Sequence, residues 1–318
     1  VIVLANWYDV SLVWIVASSF VLAMVSYHFV ETPLRHNLRL QWCLPVAALI
    51  ILSAALPISL NKFDSRGLPD ALAFVDAPGV STRGREFEAI YLLDKGGVRL
   101  NSDSGRSPEL VVLGSSHARV LGRPFADYAE NADVAVAMLG CTQLGVSDIE
   151  SKEAIVRLKW VEQWKPSVLV LAGRWDLEIV ENPKFEEDLR TALGRMALWS
   201  PRCIVLGQVP LLKTDQSGKN LGKFLITEYR RTGVIPKLNQ EPASREANKK
   251  VREIVESLQL PGVSYVDTSR CFMKDDGYVQ AVQDDILLYS DHNHLNDAGA
   301  AVVFDQCIRP LLSQSLRR

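Results

Sequence analysis

The chain has little net charge. Across 318 residues, 35 lysines and arginines stand against 37 aspartates and glutamates, a formal balance of −2. A field so close to neutral offers no general attraction to a polyanion, so nucleic acid is not an expected partner. Cysteine is sparse too. None of the five occurs in a C-x-x-C spacing, which argues against zinc and thioredoxin-type chemistry. No bound metal or cofactor is expected. Cys141, Cys203, Cys271 and Cys307 allow three pairings, and a Cys271–Cys307 bridge stays open among them. Cys203 begins an expected core strand and reads as a small buried apolar residue. There is no internal repeat and no low-complexity tract.

Two long stretches lack charge altogether. Val10 to Val30 and Leu40 to Asn61 contain no Asp, Glu, Lys or Arg. Each is about 20 residues long, enough for a helix to cross a hydrocarbon core of roughly 30 Å. The hinge between them carries Arg35 and Arg39. Basic residues in short loops stay on the cytoplasmic side, which sends the second span outward. Lys62 and Arg66 mildly oppose that direction. The expectation is two transmembrane helices in 1–61, in contact with membrane lipid, and everything after Asn61 outside the cytoplasm. The first residue is Val1 rather than Met, so the chain is expected to be part of a longer polypeptide.

Residues 62–108 read as an extracytoplasmic linker with several glycines and prolines, holding one short helix near Arg85–Leu93. From Glu109 the pattern changes. Leu110–Leu113, Val134–Leu139, Val168–Ala172, Ile204–Gln208 and Val263–Val266 are short and almost wholly apolar. Such runs fit strands covered on both faces, and amphipathic stretches alternate with them. This predicts an α/β domain over 109–318 with a central parallel sheet. Asn182 and Pro183 are expected to open one helix, as N-cap and first residue. Asp297 to Leu312 is expected to close the chain as a helix. The long connection Pro210 to Pro242 carries six lysines and arginines. It reads either as a basic flap for an anionic glycan or as a solvated insertion.

The chemistry gathers at two places. The first strand runs into Gly114-Ser115-Ser116-His117, and Asp291-His292-Asn293-His294-Leu295 stands before the last helix. A hydroxyl is a weak nucleophile until a base takes its proton, and the base needs a third group to orient it. Ser116, His294 and Asp291 supply those three roles. The Asp-x-x-His spacing lets the carboxylate reach the imidazole within one turn of chain. His292 competes for the base. His117 does not suit the role, because adjacent side chains on a helix diverge.

These residues carry a resemblance. Gly114-Ser115-Ser116-His117 paired with Asp291-x-x-His294-Leu295 resembles the SGNH/GDSL hydrolases. Ser26 to Arg35, read Ser-Tyr-His-Phe-Val-Glu-Thr-Pro-Leu-Arg, looks like the end of an acyltransferase-3 membrane domain. The two are fused in bacterial proteins that O-acetylate cell-surface glycans such as lipopolysaccharide O-antigen. The resemblance implies a flavodoxin-like three-layer SGNH domain preceded by the last two helices of that membrane domain. It implies a multi-pass protein of the bacterial inner membrane with its SGNH domain in the periplasm. Acetyl-CoA would be the ultimate donor on the cytoplasmic side, an upstream acyltransferase-3 domain the relay, and a surface glycan the acceptor.

Carried over by position, the resemblance makes Ser116 the nucleophile, His294 the base and Asp291 its orienting acid. The Ser116 and Gly140 N–H groups would form the oxyanion hole. Two departures stand out. The usual Asp before the serine is Ser115. The Gly-x-Asn-Asp block reads Gly173-Arg174-Trp175-Asp176, with Trp175 in place of the oxyanion asparagine. Loss of one such donor costs other hydrolases about 10²–10³ in rate. Arg174 and Trp175 are therefore candidates for contact with substrate, and Arg174 equally for a positioning or salt-bridge role.

Overall fold

A computed structural model describes Met24, Tyr27 and residues 91–93, 97–100, 106–140, 152–213, 221–284 and 286–316. Contact density divides the chain into Val1–Asp64 and Ser65–Arg318. The two expected spans lie, apart from Met24 and Tyr27, outside the described residues. Among those residues, no helix is long and apolar enough to cross a membrane.

The strands are β1 (Tyr91–Leu93), β2 (Gly97–Arg99), β3 (Leu110–Gly114), β4 (Val136–Leu139), β5 (Val168–Ala172), β6 (Cys203–Leu206), β7 (Leu212–Lys213), β8 (Asn239–Gln240), β9 (Val263–Val266), β10 (Val282–Gln283) and β11 (Ile286–Leu287). Seven make one sheet in the order β1-β2-β4-β3-β5-β6-β9. From β4 to β9 every pairing is parallel. Those five follow the 2-1-3-4-5 order of doubly wound domains, whose direction of winding reverses at the first parallel strand, here β3. In such sheets the ligand crevice lies at that reversal, here the carboxyl ends of β3 and β5.

Alternation along the strands creates two cores. Leu110 and Val112 of β3 face one side with Val136, Met138, Val170 and Ile204. Val111 and Leu113 face the other with Ala137, Leu139, Leu169 and Leu171. Because both of their faces are covered, β3, β4, β5 and β6 are apolar throughout rather than alternating. The helices are α1 (Ser116–Arg119), α2 (Gly122–Ala132), α3 (Lys152–Trp164), α4 (Trp175–Glu181), α5 (Phe185–Trp199), α6 (Leu221–Thr232), α7 (Pro242–Leu258), α8 (Asp297–Val303) and α9 (Arg309–Ser315). Phe125 of α2 and Val303 of α8 pack on the first core. Leu189 of α5 and Val251 of α7 pack on the second. Trp160 and Trp164 stack on each other and pack against this second core, a structural role.

Several boundaries differ from those read in the sequence. The stretch taken as linker supplies β1 and β2, which extend the sheet antiparallel beyond β4. Tyr91–Leu93 is a strand, not the end of a helix. Edge strands of three residues are too short to show a period. The connection after β6 contains α6, whose Leu221, Leu225 and Ile226 enter the first core. The β7–β8 pair closes its base. Two of its cations are already engaged, Arg231 with Glu228 and Lys237 with Asp276. Asn182 and Pro183 do not open α5, which begins at Phe185. The Asn182 side chain instead accepts from the Lys184 N–H at 2.9 Å and donates to Asp188, holding a turn between α4 and α5. The closing helix is interrupted by a π-helical turn at Phe304–Ile308.

Candidate active site

The position of Ser116 follows from a close approach of two strands. Gly114 ends β3 with φ +147°, and a Cβ there would lie 1.7 Å from the Ala172 carbonyl oxygen of β5. Only glycine lets the chain turn at that point. The Ser115 N–H then donates to that same carbonyl at 3.2 Å. The Ser115 hydroxyl accepts from the His117 N–H and caps α1. A serine thus caps α1 at the place where the resemblance expects an aspartate. Ser116 follows as the first residue of α1, at the carboxyl edge of β3.

Its imidazole neighbour, His294, comes from the far end of the chain. Tyr289 and Leu295 form an antiparallel bridge, and Asn296 caps α8 by accepting from the Gly299 N–H. Between those fixed points the Asp291 carboxylate organises its own loop. Its Oδ1 accepts the backbone N–H groups of Asn293 and His294, both at 2.8 Å. Its Oδ2 meets His294 Nδ1 at 2.8 Å. The opposite ring nitrogen, Nε2, lies 2.9 Å from the Ser116 hydroxyl. A carboxylate on Nδ1 fixes the tautomer with its proton there and leaves Nε2 as acceptor for the serine proton. Burial alone would raise the Asp291 carboxyl. The His294 hydrogen bond and the two backbone donors outweigh it and hold the group at about 2.

The other two histidines of the region are excluded as base by position. His117 turns inward and is 7% exposed. Burial, then the charges of His294 and Arg174, lower it to about 3, so it stays neutral. It borders a cavity of about 20 Å³ with Leu206, Gln208, Thr268 and Leu295, room for roughly one water. His292 uses Nε2 toward the Asn293 amide at 3.3 Å, and its carbonyl accepts from the Leu212 N–H.

The remaining candidates separate. Gly140 follows β4 directly, buried, with φ +86°. Leu139 is level with Leu113 in the register, so Gly140 stands beside Gly114 at the carboxyl edge. Arg174 follows β5 at the same edge, 29% of its side chain exposed, with Nε 3.4 Å from Asp176. Its charge reaches His117.

Trp175 corrects the expectation of substrate contact. It is 1% exposed, packs on Phe185 and donates its indole N–H to the Leu206 carbonyl at 2.8 Å. An indole fills the core space that α4 leaves over Gly173, so it turns away from the cleft. Gln208 escaped attention in the sequence. Its Oε1 accepts the Asp176 N–H at 3.0 Å, and the Asn248 amide brackets its backbone. A polar residue closing an apolar strand run was the available signal.

A family model described as the SGNH domain fused to AT3 domains matches residues 85–309. Its start upstream of Glu109 agrees with β1 and β2 joining the sheet. Among solved structures, the chain is similar to the periplasmic domain of a lipopolysaccharide acetyltransferase of Salmonella ser. Paratyphi A. Identity is 18% and the TM-score 0.49, covering 63% of this chain and 82% of that one. It is also similar to an acetylxylan esterase from Geobacillus stearothermophilus, at 14% identity and TM-score 0.39, covering 67% and 96%. Comparison with curated proteins gives no match. The match over most of the chain, on a doubly wound sheet of the SGNH hydrolase type, shows that this chain belongs to the family of SGNH domains fused to AT3 domains.

Proposed function

We propose that the chain is an O-acetyltransferase that modifies a bacterial cell-surface glycan, such as lipopolysaccharide O-antigen, through an acetyl ester on Ser116. One observation carries the reading: an unbroken relay from Asp291 through His294 to Ser116, with contacts of 2.8 and 2.9 Å. Such a relay activates a hydroxyl for acyl transfer. The family's fusion to AT3 domains supports an acyl donor upstream in the same polypeptide. In this reading that domain passes acetyl groups across the inner membrane from cytoplasmic acetyl-CoA. The SGNH domain lies in the periplasm, anchored by the two spans before it.

His294 Nε2 takes the Ser116 proton as the oxygen attacks the acetyl carbonyl. The tetrahedral oxyanion is met by the N–H groups of Ser116 and Gly140. His294 returns the proton to the leaving group, which departs as the acetyl ester forms. A glycan hydroxyl then gives its proton to His294 and attacks the ester. Ser116 leaves with that proton, and the glycan carries the acetyl group. Arg174, level with these groups at the strand edge, replaces the missing asparagine as a cation near the oxyanion or the acceptor sugar.

An esterase would use the same acyl-enzyme with water as acceptor. Assaying the chain on acetyl esters with and without a glycan hydroxyl donor separates the two. Acetyl transferred to the glycan supports the transferase, and hydrolysis unaffected by glycan refutes it. In cells, Ser116→Ala should leave the protein folded and the glycan unacetylated. Normal acetylation by that variant removes the serine from the mechanism.

A further inference from the structure

Cys271 and Cys307 meet where two elements behind the site cross. Cys271 ends the 3-10 turn Thr268–Cys271 that follows β9, and Cys307 lies in the π-helical turn of the closing helix. Their sulfurs are 2.7 Å apart and the side chains are 8% and 1% exposed. That separation is within about 0.7 Å of the ~2.05 Å of a disulfide bond. Both belong to the first core, whereas Cys203 belongs to the second, across the sheet. Among the described cysteines, therefore, these two can pair only with each other.

We propose that Cys271 and Cys307 form a structural disulfide in the mature protein. It joins residues 36 apart, and the loop it closes contains both Asp291 and His294. The bond would restrict the unfolded chain in the segment that delivers the base to Ser116. The pairing rests on geometry. Its presence in cells rests in addition on the extracytoplasmic location in the proposed function, where disulfides persist.

The oxidant is a second disulfide, supplied by a thiol–disulfide oxidase or by oxidised glutathione. The Cys307 thiolate attacks one of its sulfurs, a mixed disulfide forms and the first thiolate leaves. The Cys271 thiolate then attacks the Cys307 sulfur and the second thiolate leaves. Two thiols lose two electrons and two protons, and the oxidant is reduced to two thiols. Cys307 suits the first step. The Arg270 guanidinium lies alongside its sulfur, which favours the thiolate.

The test is peptide mapping of the full chain after incubation with oxidised glutathione and alkylation under denaturing conditions. The expected result is one linked peptide joining Cys271 to Cys307, with Cys203 alkylated. Alkylation of both, or a link from either to another cysteine, overturns the pairing. Mapping chain isolated from cells with thiols trapped at lysis tests the location separately. A pair that links with glutathione but is reduced in cells overturns the presence of the bond in the mature protein, not its geometry. The Cys271→Ser/Cys307→Ser double variant should lower Tm by about 5–10 °C, with ester turnover well below Tm within about threefold of the parent. An unchanged Tm overturns the stabilising role.

Discussion

The imidazoles of His117 and His294 lie 5.3 Å apart between centroids, tilted by 46°, yet only His294 reaches the Ser116 hydroxyl. Burial and its neighbour's charge keep His117 neutral, at about 3. The unfolded chain takes up that proton near pH ~6.5. Below that pH the unfolded state binds more protons than the folded one. This contribution is therefore harmless above pH ~6.5 and costs stability as pH falls toward 3, by at most about 1.4 kcal/mol per pH unit. Urea unfolding at pH 7 and pH 5 should show a smaller loss of stability for His117→Gln than for the parent. Equal losses would mean that His117 is not the buried neutral group.

Asp291 takes up its proton only at a lower pH than an exposed acid does, because three hydrogen bonds favour its charged form. Its folded carboxyl, at about 2, lies below the ordinary value of 3.8. Its contribution is complete above the unfolded value and is lost as pH falls through about 2. Asp291→Asn removes the charge and the tautomer control together. Turnover on an acetyl ester should drop by about 10²–10⁴ while circular dichroism stays native. Turnover within threefold of the parent would show that His294 needs no orienting acid.

Trp175 tests whether the departure from the family's asparagine lies in the core or in the cleft. Trp175→Phe keeps most of the volume but leaves the Leu206 carbonyl without its indole donor. Stability should fall by about 1–3 kcal/mol, read from chemical denaturation. The ratio kcat/KM should stay within about threefold. A folded Phe variant without activity would return this residue to the site.

Arg174 is the cation left at the carboxyl edge of β5 where the asparagine is missing. Arg174→Ala should lower kcat/KM by about 10–10³-fold, the range for loss of one oxyanion contact or one charged substrate contact. Arg174→Lys should recover part of it. If alanine changes only stability, the residue serves the Asp176 ion pair alone.

Much of this fold is legible before any coordinates. The Val168–Ala172 and Val263–Val266 runs match their strands end to end. Val168–Ala172 is covered on both faces and apolar at every position, a pattern few other elements share, whereas Val263–Val266 is the half-buried outer strand and carries Ser264 between apolar residues. Ser116 after β3, and Asp291 three residues before His294, are likewise local facts of the chain. Tyr91–Leu93 and Gly97–Arg99 were not legible, because three-residue strands have no period and exist only through their pairing, β2 with β4 and β1 with β2.

What the chain sequence determined by itself was the alternation of strands and helices, and the identity of three groups able to activate a hydroxyl. Tertiary structure decided what those groups touch. His294 and Ser116 are 178 residues apart and meet because the sheet order brings both segments to one edge. The same packing turned Trp175 into the core, made His117 neutral and set Cys271 against Cys307. Local propensity fixes backbone conformation over a few residues. Direction, burial and charge state come only from neighbours that are distant in the chain.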